Sequence, residues 1–566
     1  MLLTKILVTV TRIWVAVITG ACVFLASATA FAQQPRVPAP NKPVPARLLK
    51  PRPIPPAVSR SMVGGPWITD ANYHAVLVMK NYLKTSALKV KPTLYVANGN
   101  SYPLPDVSIE AAGVASIDIN RALTQQGIAP WAALSGYVEL QYRWPWDALC
   151  ATIQDADPAH SEVFTYSFRP AVSSLAPSSH GAVGSGATTP PANILEGLWW
   201  KQETNVGGFV TLSNVSPSAV DVNVQVSDRV GNAVADHALT MPAHGTKIVQ
   251  LPELSSTGTP DGGLRVSYTG QDGDLLIGGG LEDPLTGYSA NLAFAPSVPG
   301  SITAALSQYA SLGLMAGAAD PMLKFPAGTI FTPYAKVRNI SAQNVLVTPT
   351  IWWMQGGAPH SARLPEVKVL PFHSGNLDVS ALLSTAGLQN LNASINLVLE
   401  TAGPPHALVI ASGSVDQKNT YVFAVAPSAV KESVAKSLSY WSTANGDDTM
   451  VTIWNPADDP QEFTFTLFFL GGQYTLPVRL EGRVSRSFNI SEIINNQIPD
   501  PEGRTIPITV HEGSAEISGS KGENQHVLVA IAAGTYNVIK ATCQLYCITC
   551  EGAVRGEVSA FNLQVG

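Results

Sequence analysis

At 566 residues the chain exceeds the reach of a single hydrophobic core and points to about four domains. Only 13% of its residues are charged and 46% are apolar, with 46 Gly and 43 Pro, which favours short strands and tight turns over long helices. Eight Lys or Arg precede the first acidic residue, Asp70, leaving 26 basic against 40 acidic residues from Asp70 onward; that net of −14, with no basic patch, argues against nucleic acid as a partner.

The chain opens with an export pattern. Lys5 and Arg12 precede an apolar run from Ile13 to Leu25, and Ala30, Phe31 and Ala32 then give the small-x-small site that a signal peptidase cuts. Residues 1–32 are read as a signal peptide cleaved after Ala32, which places the body secreted or at the cell surface. An uncleaved anchor is the alternative, and the sole route to a membrane. Residues 33–65 form a Pro-rich basic linker, extended and solvated. Sandwich domains are predicted at 66–169, 193–297, 298–430 and 431–541, with a Ser/Gly/Pro linker at 170–192 after the first. Residues 542–566 read as a cysteine-containing tail and the start of a further domain.

One pattern is written four times. A strand ends at Asn81, Asn214, Asn339 or Asn455, a polar turn follows, and a second alternating strand runs on. Next comes a glycine turn (Gly99, Gly231, Gly356 with Gly357, Gly471 with Gly472), supplying the positive φ that tight hairpins need. A corner follows near Gly113, Gly245, Gly375 and Gly482. Then comes a single helical turn with Asn120, Ser380 and Ser491 read as its caps. The later strands include a continuously apolar one at 275–277, 407–411 and 527–531, expected to be central. The turn asparagines lie 133, 125 and 116 residues apart, the spacing of an immunoglobulin-sized sandwich plus linker. The predicted fold is all-β: a tandem array of about four Ig-like antiparallel sandwiches with short helical turns.

The sequence carries no Gly-x-Ser-x-Gly elbow, phosphate loop or His-Glu-x-x-His, and its ten histidines never fall at metal-ligand spacing. No cofactor, metal or catalytic residue is predicted. Acidic pairs such as Asp155 with Asp157, Asp272 with Asp274, and Asp447 with Asp448 read as solvated turns before calcium ligands. The sharper candidates are aromatic: Trp199 with Trp200, Trp352 with Trp353, and Trp441. Neighbours on a strand point to opposite faces, so one of each adjacent pair is free to form a platform for sugar rings or to pack on the next domain. The third copy also carries an extra loop, 317–328, expected beside Trp352 and Trp353. Cys150, alone in an apolar run, reads as a buried free thiol. Cys543, Cys547 and Cys550 read as disulfide formers with one partner supplied from elsewhere, before a zinc site.

The repeats resemble the tandem immunoglobulin-like or fibronectin-like sandwiches of exported bacterial surface proteins, and residues 556–566 resemble the first strand of a bacterial Ig-like domain of group 2. That resemblance implies a non-catalytic surface scaffold, stalk or adhesin, with surface polysaccharide or other surface proteins as partners. A carbohydrate-binding protein using exposed tryptophans is the second reading. A secreted enzyme is the third.

Overall fold

The computed structural model describes residues 59–69, 72–129, 134–145, 148–157, 162–171, 193–201, 205–298, 304–319, 325–418, 422–425, 427–430, 432–433, 435–520, 527–537 and 542–545. The predicted leader, most of both linkers, and Cys547 and Cys550 lie outside them.

The first sandwich holds β1 (Ser59–Thr69), β2 (His74–Asn81), β3 (Leu88–Val96), β4 (Ser101–Pro103), β5 (Val107–Ile109), β6 (Val114–Asp118), α1 (Ile119–Gln125), β7 (Leu134–Arg143), β8 (Leu149–Asp157) and β9 (Glu162–Pro170). In the second are β10 (Asn193–Trp200), β11 (Gly207–Asn214), β12 (Val220–Ser227), β13 (Ala233–Met241), β14 (Thr246–Gln250), α2 (Glu253–Ser256), β15 (Asp261–Tyr268), β16 (Leu275–Asp283), β17 (Tyr288–Asn291) and β18 (Ala293–Pro296). The third has β19 (Ala305–Ala318), β20 (Ile330–Asn339), β21 (Val345–Gln355), β22 (Ala358–Arg363), β23 (Val367–Val369), β24 (Ser374–Leu377), α3 (Val379–Thr385), β25 (Ala393–Gly403), β26 (Leu408–Asp416), β27 (Val422–Val425) and β28 (Ser428–Ala429). The fourth comprises β29 (Glu432–Ser433), β30 (Ala435–Ser442), β31 (Asp447–Trp454), β32 (Gln461–Phe469), β33 (Gly472–Leu480), β34 (Ser485–Asn489), α4 (Ile490–Asn495), β35 (Glu512–Gly519), β36 (Val527–Leu528), β37 (Ala530–Asn537) and β38 (Thr542–Leu545). Strand β38 pairs with β37, so 542–545 completes the fourth sandwich.

All four copies share one topology. The sheet carrying the opening strand runs β4-β3-β7-β1, β13-β12-β15-β10, β22-β21-β25-β19 and β33-β32-β35-β30. Its partner, carrying the strand that ends in asparagine, runs β6-β2-β8-β9, β14-β11-β16-β17, β24-β20-β26-β27 and β34-β31-β37-β38. Local sequence explains the elements. Val220, Val222, Val224 and Val226 on β12 alternate into the core, as a strand with one buried face requires. Strand β26 is buried along its whole length, because its second face is covered too. The helices begin on Asp118, Asp378 and Asn489, whose side chains accept from the N–H groups of Arg121, Ala381 and Glu492. These caps lie two residues before Asn120, Ser380 and Ser491, where sequence placed them. The reason is that Asn120 and Ser491 instead tie the helix to the sheet, through Ala75 and Asp448.

The copies pack head to tail. The opening-strand sheet of each sandwich faces the asparagine-strand sheet of the next: β1 lies on β11 and β16, β10 on β20 and β26, and β19 on β31 and β37. The fourth copy meets the first by the same relation, with β30 on β2 and β8. The last strands form a cycle at the centre, β9 against β17, β17 against β27, β27 against β38 and β38 against β9. A head-to-tail relation that returns to its start makes a ring. The tandem array is closed.

Candidate functional site

The repeated asparagine is a structural lock. All four copies are fully buried. Asn339 Nδ2 donates to the carbonyls of Gln343 at 2.6 Å and Val369 at 3.1 Å, while its Oδ1 accepts from the N–H of Ser341. Asn214 donates to Ser218 and Pro242, Asn81 to Ser86 and Glu110, and Asn455 to Asp459 and Glu481. One side chain thus closes its own turn and fastens it to the corner across the sheet. The sequence suggested the first bond, since Asn favours such turns, but gave no hint of the second. With Nδ2 consumed and buried, Asn214 and Asn339 are not open to glycosylation in the folded chain, although both sit in the matching tripeptide.

The corner residues are equally regular. Ala112, His244, Phe372 and Arg483 all adopt positive φ, between 53° and 64°. In the first and second copies this residue directly precedes the expected glycine, in the third it lies three residues before Gly375, and in the fourth it directly follows Gly482. At the three seams between consecutive copies the corner of one copy meets the preceding copy. Thr246 N–H donates to Ala97 of the first sandwich, and His244 lies at 3.0 Å from Tyr137 Oη and stacks near Tyr95. Ser374 N–H donates to Arg229 O, and the Arg483 guanidinium sits 5.1 Å from the Trp352 ring centroid.

The copies differ at the residue just before each asparagine, Lys80, Ser213, Arg338 and Trp454, and two of these reach across a seam: Lys80 to the fourth sandwich and Arg338 to the second. Arg338 is buried against Gly263, donates to Phe372 O and lies 3.7 Å from Glu196. Glu196 is 1% exposed and also meets Arg265 at 3.3 Å. Burial raises its pKa against the opposing pull of these two arginines. Lys80 is 2% exposed; its Nζ donates to Ala112 O at 2.5 Å and stands 4.4 Å from the Phe468 ring of the fourth sandwich. Burial brings its pKa down to about 7. Nearby, Lys84 reaches Glu516 at 3.3 Å.

The candidate sugar platform is not an open surface. Trp199, Trp200, Trp353 and Trp441 are buried and Trp352 is half-buried. The alternation argument was sound, but both faces are covered. Trp199 fills its own core, with Nε1 donating to Ser227 O, while Trp200 donates to Tyr288 Oη and approaches Tyr334 of the next sandwich at 6.2 Å between centroids. Trp441 repeats the first role, donating to Ser514 O. Trp353 stacks on His360, and its neighbour Trp352 lies in the seam beneath Arg483. The extra loop 317–328 is pinned at its base, where Ala318 pairs with Ile330, and residues 320–324 lie outside the described residues.

Among the acidic pairs, Asp155 with Asp157 and also Asp448 are buried instead of solvated: Asp448 accepts from Ser491 Oγ, and Asp155 is fully buried, so that desolvation pushes its carboxyl pKa well up. Asp272 is exposed and half-buried Asp274 closes its own turn through Gln271 N–H, as the sequence suggested. Cys150 is not a free thiol: it is disulfide-bonded. The lone-cysteine reading failed because its partner is remote in sequence. A shallow depression of about 570 Å³ on the second sandwich is lined by Asp221, Asn223, Thr240 and Ser267, of which Thr240 and Asp221 already bond each other. No model of a known protein family matches the chain, and a search of curated proteins finds no match.

Proposed function

We propose that the protein is a non-catalytic scaffold, exported to the cell surface, whose four sandwiches act as one rigid body. The observation that carries this reading is the repeated seam: every asparagine-strand sheet lies on the opening-strand sheet of the preceding copy, around the whole ring. Domains joined as a flexible string leave such faces wet and turn about their linkers. Here the large aromatic side chains that a ligand platform needs are spent inside cores and seams. What remains outward includes the sheet-terminal strands β13, β22 and β33, whose edges, unpaired among the described residues, suit the docking of other surface proteins by strand addition.

Labelling intact producing cells with a membrane-impermeant amine reagent tests the reading. The expected result is a labelled chain beginning at Gln33 and no turnover on ester, glycoside and peptide substrate panels. An unlabelled cytosolic chain retaining residues 1–32 would contradict export, and turnover that co-elutes with the protein would contradict a non-catalytic role.

A further inference from the structure

We propose that β13 is the docking edge of this scaffold, and that its partner is an extended segment of another surface protein in which apolar residues alternate with Lys or Arg. The inference rests on the scaffold reading and narrows it to one strand and one chemistry.

The four copies guard the same edge differently. An exposed edge strand invites pairing with other chains, and Pro or a cationic side chain blunts it. In the first copy Pro103 ends β4, and Pro105 separates it from β5. In the third, β22 carries Pro359 and Arg363, and Pro365 separates it from β23. The fourth has Pro477 and Arg479 within β33. Among these described strands, only β13 runs on, from Ala233 to Met241, with no Pro, Lys or Arg.

The ladder shows which groups β13 offers. Alternate residues of an antiparallel strand bond opposite neighbours. Thr269 N–H donates to Asp221 O, so Asp221 turns its backbone to β15, and Val220, Val222 and Val224 turn theirs to β13. Their partners Met241, Leu239 and His237 are thereby bonded, which leaves Asp236, Ala238 and Thr240 facing out from the sheet edge. Lys247 Nζ donates to Thr240 O from that side. The backbone groups of Asp236 and Ala238 meet no strand among the described residues. Counted from the closing pairs Val220–Met241 and Gln461–Leu480, Ala238 and Pro477 hold the same place. The fourth copy thus lacks a donor where the second presents one.

Charge then selects the partner. The outer face beside this edge carries Asp221 and Asp236, whose side-chain hydrogen bonds come from the neutral Thr240, Asn223 and Gln225 and leave both charges standing. Arg265 on the same face is held by Glu196. A second copy paired edge to edge would set two acidic faces side by side, so a basic strand fits where a self-dimer does not. The depression lined by Asp221, Asn223 and Thr240 gives a long basic side chain a seat. On its other face β13 sets Ala235 and Leu239 against the core, which asks for apolar residues at the alternate positions of the added strand.

The test follows fluorescence anisotropy of a labelled peptide, acetyl-Lys-Val-Lys-Val-Lys-Val-Lys-amide, titrated with the full chain beside its Glu-for-Lys counterpart. Saturable one-to-one binding of the Lys peptide is expected, about tenfold weaker or more for the Glu peptide and for Ala238→Pro. Because Ala238 N–H serves no ladder bond, this variant is expected to keep the wild-type denaturation midpoint. If its midpoint falls, Asp236→Lys, a change at an exposed residue, takes its place with the same expected loss. No binding of the Lys peptide, equal binding of the two peptides, or full binding by a folded variant overturns the proposal. So does a wild-type dimer that Ala238→Pro makes monomeric, since a second copy would then be the occupant. Turnover on the substrate panels with peptide binding intact would remove the non-catalytic reading and leave β13 as the docking edge.

Discussion

The buried asparagine is the residue on which each sandwich turns. Removing it leaves carbonyl groups and a turn N–H without partners in a place water does not reach. Asn339→Ala is expected to cost about 1–3 kcal/mol in urea denaturation, and Asn214→Ala a similar amount. A loss below about 0.5 kcal/mol in both would contradict the lock. Lys80 gives the second prediction at this scale. Its pKa falls from 10.5 to about 7 on burial, so the closed ring favours the neutral amine while an opened chain holds the ammonium. Glu516 opposes the shift and Lys84 adds to it. Stability at the seam therefore rises as pH climbs from about 7 towards 10.5 and is lost as pH falls back. Compared with Lys80→Met, the wild type is expected to gain by up to about 1.4 kcal/mol per pH unit in that window. Parallel stability curves for the two proteins would rule the buried amine out.

At the scale of elements, the repeat rests on a tryptophan of the opening strand lying over a glycine of the strand beside it. Trp67 pairs with Gly136, Trp199 with Gly262 and Trp441 with Gly513. A Cβ on Gly262 would meet the Ser227 backbone carbonyl oxygen first and the Trp199 ring at 2.6 Å, so close approach of backbone and ring is what the glycine provides. Gly262→Ala is expected to destabilise by about 1–3 kcal/mol, read as a lower denaturation midpoint with unchanged far-UV circular dichroism. An unchanged midpoint would contradict the close approach of the Ser227 backbone and the Trp199 ring at this position.

Much at this scale was legible in the chain. The turn asparagines and the positive-φ glycines at 99, 231, 356, 357 and 471 are local chemistry and fall where sequence placed them. The helix caps shifted by two residues because Asp118, Asp378 and Asn489 compete for the same role with the polar residues just after them. The tryptophan pairs could not be placed from pattern. Alternation gives the face on which Trp200 lies, but only the neighbouring sandwich decides that this face is covered.

At the scale of the whole molecule, the sequence pointed to a string of sandwiches and the structure joins its ends. That step was not legible, because the seam between the first and fourth copies brings together residues as distant as Lys84 and Glu516. No local period encodes such a contact. The seams also explain why the residue before each asparagine differs while the asparagine itself recurs. The asparagine closes a sandwich from within, whereas Lys80 and Arg338 each answer a different neighbouring copy, at Phe468 and Glu196, and Ser213 and Trp454 bond Thr246 and the Arg483 carbonyl at their own corners. A ring of this kind resists bending at every junction, because opening one seam leaves its charged or aromatic side chains unpaired.

The most direct test of closure is zero-length carbodiimide cross-linking of the monomer, followed by peptide mapping. With Lys84 Nζ 3.3 Å from Glu516 Oε1, an intramolecular amide between these two residues is expected at low protein concentration, and Lys84→Met abolishes it. Recovering that link only in a dimer fraction, or finding links between sequence-adjacent sandwiches and none between the fourth and the first, would show an open string and contradict the ring.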